Sequence, residues 1–141
     1  MISVTPKSEM TFNPKESIAL QGKTGPYILY TYARLKSILS KAGKQSKRKS
    51  ETYDWKEEKQ LLVLLSRYED TVGVAARELN PATLADYLFS LSQALNDYYH
   101  RIPVLTANAS ARAARLSLMK ESARCLKEGL GLFGIQTLER M

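Results

Sequence analysis

Tyr30 and Arg34 stand four residues apart in the segment GPYILYTYARLKSIL, residues 25–39. If that segment is helical, the phenol and the guanidinium lie one turn apart on one face. Both groups stack on flat rings and both hydrogen-bond, which is the combination that single-stranded RNA recognition uses, at roughly 1–3 kcal/mol per stacked base. No acidic residue occurs between Lys23 and Lys49. Within and around that stretch Lys23, Lys41, Lys44, Lys47, Arg48 and Lys49 can attract phosphates, an attraction that weakens as salt rises. A plainer account fits the same residues: an amphipathic helix showing its polar side to water, followed by a solvated loop, KQSKRK.

Reaction chemistry has no comparable constellation. His100 has no second histidine and no cysteine at metal-ligand spacing, and is expected to be a satisfied N–H at a helix end. Cys125, between Arg124 and Leu126, reads as a small buried apolar residue. The stretch GKTGP lacks the G-x-x-x-x-G-K-[ST] spacing of a phosphate loop and follows no predicted strand. Carboxylates are dispersed, and no catalytic pair can be nominated.

The chain has to place these groups with one core. At 141 residues and 44% hydrophobic it is expected to form one domain. A formal charge of +7 points to a polyanionic partner, nucleic acid first. A single cysteine precludes an internal disulfide, and apolar runs such as residues 61–65 are too short to cross a bilayer. A cytoplasmic protein without membrane contact is expected.

Residues 1–12 read as an arm, and Asn13-Pro14 with Glu16 signals a short helix ended by LQGKTGP. From about Pro26 to Ala42 helical spacing gathers Ile28, Tyr32, Leu35, Leu39 and Ala42 on one side, with Thr31 and Ile38 at its edges. Tyr30, Arg34, Ser37 and Lys41 face the other way. Gly43 is expected to end this helix in the left-handed conformation, ahead of a mobile basic loop. Asp54 with Glu57 predicts a capping box opening a helix through Trp55, Leu61, Leu62, Leu64 and Leu65. A polar turn and a short helix over VGVAAREL follow. Asn80-Pro81 then opens the clearest helix, with Leu84, Tyr87, Leu88, Leu91, Leu95 and Tyr98 in register and Pro103 beyond its end. A last helix is predicted from about Ser110 to Phe133, stopped by Gly134. No strand pattern occurs, so the fold class is all-α, a helical bundle of four or five main helices.

Three blocks, FNPKESIALQGKTGPYILYTYARLKSIL, VAARELNPATLADYLFSLSQALNDYYHRIPVL and CLKEGLGLFGIQTLERM, together resemble the C-terminal part of class I arginyl-tRNA synthetases, nearly end to end. The resemblance implies an all-α anticodon-binding domain of the DALR type over residues 23–141. Residues 1–22 then correspond to the arm and short helix leading from a catalytic domain. Tyr30 and Arg34 match the second tyrosine and the arginine of the family's T-G-P-Y-x-x-Y-x-x-x-R motif and are implied to hold the middle base of the arginine anticodon. Tyr99 and the terminal Met141 are similar to residues forming a pocket beside the anticodon loop. Pro103 stands where some members carry a tryptophan, which leaves open how that pocket closes.

The Rossmann-type catalytic domain, with its HIGH-like and KMSKS-like motifs, and the domain that touches the tRNA elbow have no counterpart here. A fragment is therefore expected, either an isolated domain or a truncated product, that binds the arginine tRNA without aminoacylating it. ATP with Mg would serve the full-length enzyme; this chain is expected to hold no cofactor, and its other partner would be the missing catalytic domain. The competing reading is a stand-alone helical adaptor whose tyrosine-rich basic surface meets a protein.

Overall fold

Thr24 caps the first of the described helices. Its side-chain oxygen accepts the Tyr27 N–H at 3.3 Å, Pro26 supplies a φ suited to a first turn, and α1 runs Gly25–Ala42. The computed structural model describes residues 22–43 and 53–138, with Pro14 in helical conformation. Among these residues four more helices follow: α2 Lys59–Ser66, α3 Tyr68–Arg77, α4 Pro81–Arg101 and α5 Ala109–Leu132. No strand occurs among the described residues, so the architecture is the all-α bundle that the periodicity predicts. The start signal at Asn13, the arm and the basic run from Lys44 to Ser50 lie outside the described residues.

α4 is the hub. Asn80 caps it by accepting the Ala82 N–H at 3.2 Å, and all four other helices pack against it. Leu88, Leu91 and Leu95 are at most 1% exposed, and each such burial stabilises by about 1.5–3 kcal/mol. α5 comes unusually close. A Cβ at Gly129 would lie 2.6 Å from Leu88 Cδ2, so only glycine permits this approach. Asn108 caps α5 by accepting the Ala111 N–H at 2.9 Å. From the next turn Arg112 Nη2 donates to the Ala42 carbonyl at 3.0 Å, satisfying one of the acceptors left open at the end of α1.

Three details depart from the sequence reading. Gly43 has a φ of 68°, as expected, but its ψ of −164° lies outside the left-handed helical well. That region is essentially open to glycine alone. The capping box at Asp54 and Glu57 does not form. Residues 55–58 make a turn, α2 begins at Lys59, and Asp54 Oδ1 accepts the Lys56 N–H at 3.2 Å. The cause is Glu58, whose side chain is fully buried. Its Oε1 accepts from Tyr53 OH at 2.8 Å, Tyr98 OH at 2.6 Å and Arg115 Nε at 3.0 Å. A cap contributes about 1 kcal/mol, whereas leaving Arg115 and Tyr98 inside the fold without their carboxylate would cost about 3–5 kcal/mol. The turn that delivers Glu58 to its donors therefore wins. Lastly, the polar turn expected after Leu65 shrinks to Arg67, because Tyr68 is drawn in against the Tyr87 ring, with centroids 6.0 Å apart.

Candidate nucleic-acid interface

The face of α1 that looks away from the core carries Tyr30, Arg34, Ser37 and Lys41. On the side expected to dock, Ile28, Tyr32 and Leu35 are at most 7% exposed while Leu39 and Ala42 are only partly buried, and Ile38 and Thr31, expected at its edges, are buried at 3% and 1% exposure. Tyr30 is 41% exposed, so its ring is open to solvent while its backbone is fixed by a docked helix.

α4 completes the site. The Arg34 guanidinium carbon lies 5.5 Å from the Tyr30 ring centroid and 5.3 Å from that of Tyr99, so two rings from two helices flank one cation. Arg34 Nη1 also donates to Asn96 Oδ1 at 3.2 Å. Tyr99 in turn meets the His100 ring with centroids 6.5 Å apart. A groove of about 910 Å³ opens beside this cluster, lined by Tyr30, Arg34, Lys36, Ser37, Lys41 and Tyr99 among others. The described residues lining it include three basic side chains and no carboxylate. Its chemistry is that of a receptor for flat, electron-rich rings carried on a polyanion.

Lys41 lies exposed in the last turn of α1, at the edge of the groove. Lys23 precedes the helix and pairs with Asp86 of α4 at 2.8 Å, both side chains being about half exposed. Such a pair is worth about 0–1 kcal/mol, so a phosphate can compete for the ammonium. Lys44, Lys47, Arg48, Lys49 and Met141 lie outside the described residues. Pro103 is exposed, and its carbonyl accepts from Arg115 Nη1 at 2.9 Å, which ties the α4–α5 connection to the Glu58 cluster. Asn96 was not singled out from sequence. The signal was available: it stands three residues before Tyr99 and therefore on the same side of α4.

Residues 28–141 match the family described as the DALR anticodon binding domain. The chain belongs to this family. As a DALR domain it is similar along its whole length to arginine–tRNA ligases. It is 38% identical to that of Parabacteroides distasonis, over all of this chain and 25% of the relative. It is 39% identical to that of Cyanothece sp., over 95% of this chain and 24% of the relative. The solved arginyl-tRNA synthetase of Thermus thermophilus superposes with a TM-score of 0.91 at 37% identity, covering 99% of this chain and 25% of that one. The chain thus spans about a quarter of the length of these relatives. No helix among the described residues of this DALR domain is long and apolar enough to cross a membrane.

Proposed function

We propose that this DALR domain recognises the anticodon loop of an arginine tRNA, as part of an arginine–tRNA ligase. The observation that carries the reading is the Arg34 guanidinium flanked by the Tyr30 and Tyr99 rings at the mouth of a basic groove. A base turned out of the anticodon stack would lie on these groups, with the middle base held by Tyr30 and Arg34 and a neighbour beside Tyr99 and Met141. Lys23, Lys41, Lys44, Lys47, Arg48 and Lys49 would attract the backbone without reading sequence. Residues 1–22 would lead from a catalytic domain, to which ATP with Mg belongs. A cytoplasmic location accompanies this role. The domain's contribution to ligation would be positional, through placement of the tRNA acceptor end.

The whole-chain similarity to arginine–tRNA ligases favours this reading over a protein adaptor. The experiment is a fluorescence titration with an arginine anticodon stem-loop and with one whose middle base is changed, each at two salt concentrations. Tighter, salt-sensitive binding of the arginine loop is expected. Equal binding of both loops would reduce the domain to a basic surface with general RNA affinity, and failure to bind either would remove the proposal.

A further inference from the structure

Arg34 carries a planar group whose usefulness depends on the direction of its plane, and one side chain fixes that direction. Asn96 Oδ1 accepts from Arg34 Nη1 at 3.2 Å, while Asn96 Nδ2 donates to Tyr27 OH at 3.0 Å and to Thr31 Oγ1 at 3.1 Å. The direction of the amide follows from its surroundings. Thr31 is 1% exposed and donates its hydroxyl proton to the Tyr27 carbonyl at 3.0 Å, which leaves the oxygen only lone pairs to offer. Only the NH₂ end of Asn96 can satisfy it, so the carbonyl end must face Arg34. Tyr27 is steadied in turn by the Phe89 ring, with centroids 5.3 Å apart. A chain of oriented groups therefore runs from the α1–α4 interface to the guanidinium at the groove, bridging two helices.

We propose that Asn96 is the positioning residue for base readout: its hydrogen bond holds the Arg34 guanidinium beside Tyr30 and Tyr99 in the orientation from which it reads a base. The inference rests on the anticodon-recognition reading. A guanidinium free to rotate keeps its charge and its attraction for phosphate, but it loses the fixed fork that distinguishes one base edge from another. Discrimination and general affinity thus separate at this position.

The test is Asn96→Ala in the 141-residue chain, with the double variant Tyr27→Phe/Thr31→Val as a second protein that leaves Asn96 in place and removes both acceptors orienting its amide. Both are titrated with the arginine stem-loop and its middle-base variant over a range of salt, and thermal melts are recorded. The expected result is a loss of about tenfold in the ratio of the two dissociation constants, as for a lost hydrogen bond to a charged group. The salt slope should stay unchanged, and the Arg34 Nε–H resonance should shift. If Asn96→Ala does not fold, the double variant decides. A folded variant that keeps the wild-type ratio overturns the role of Asn96 and leaves the function standing. A wild-type chain that does not discriminate between the loops overturns the function and this role with it.

Discussion

Arg34→Lys separates shape from charge at the groove. The substitution keeps one positive charge on α1 but removes the planar group that lies 5.5 Å from the Tyr30 centroid and 5.3 Å from the Tyr99 centroid. It also removes the Nη1 hydrogen bond to Asn96. An ammonium is a point charge on a flexible stem and offers no flat face on which a base can stack. If the guanidinium supplies one stacking platform, about 1–3 kcal/mol of binding is lost, roughly a 5- to 150-fold rise in Kd for the arginine anticodon stem-loop. The slope of log affinity against log salt should not change, because the number of phosphate-attracting charges is the same. The assay is the fluorescence titration repeated at several salt concentrations, with near-ultraviolet circular dichroism confirming the native packing. A lysine variant that binds as tightly as wild type would show that Arg34 acts only as a charge. An equal loss for every RNA, whatever its middle base, would make Arg34 a sequence-tolerant stacking platform and not a reader of the base edge.

The remaining predictions concern the frame. Gly129→Ala gains about 1 kcal/mol in helix propensity but forces a methyl to within 2.6 Å of a Leu88 that is fully buried, so a net loss of about 1–2 kcal/mol is expected. A raised Tm would show that Leu88 has room to move. Leu79 has a φ of 49° and is 83% exposed, so Leu79→Gly relieves backbone strain without uncovering core. After the added entropy of the unfolded chain, a gain of about 0.5–1 kcal/mol is expected in urea unfolding, and a loss would mean that the leucine side chain is itself stabilising. Burial holds the Tyr87 phenol protonated well above its usual range, and burial together with the hydrogen bond to Glu58 does the same for Tyr98. In the window above pH 10 the unfolded chain therefore releases protons that the native state retains, and stability falls by about 1.4 kcal/mol per pH unit for each. Urea midpoints that stay level from pH 10 to 11 would contradict this.

Periodicity made the helices of the core legible. The apolar side of α1 and the row from Leu84 to Tyr98 on α4 are buried as their spacing predicts, because burial of a continuous stripe outweighs any local preference. The Asn80-Pro81 start and the Gly134 stop were readable because caps act within a few residues. The start of α2 was not. There a local signal, Asp54 with Glu57, lost to Glu58, whose partners Tyr98 and Arg115 lie 40 and 57 residues away. Linear spacing carries no information about such a pairing. The candidate site divides in the same way. Tyr30 and Arg34 were visible as a pair one turn apart on one helix, and the resemblance supplied Tyr99. Spacing places Asn96 on the Tyr99 side of α4, but that it meets Arg34, Tyr27 and Thr31 follows from how α1 packs there, which linear spacing does not carry.

The two tyrosines at positions 98 and 99 join the frame to the site. Neighbours on a helix project about 100° apart, and here Tyr98, 2% exposed, turns inward to Glu58 while Tyr99 turns outward to Arg34. The same Glu58 oxygen is held by Arg115 of α5, whose Nη1 reaches the Pro103 carbonyl. The buried cluster therefore ties the turn before α2, the end of α4, the loop beyond it and the start of α5 to one point. A buried ion pair adds little net stability compared with apolar residues of the same volume, because desolvation offsets most of the attraction. What it does add is direction. An apolar contact is non-directional, whereas the hydrogen bond from Tyr98 to Glu58 is directional, and it holds the helix with Tyr99 and Asn96 on the Arg34 side. Replacing Glu58 and its partners with packed apolar side chains would leave a folded bundle in which the flanking rings no longer face the guanidinium.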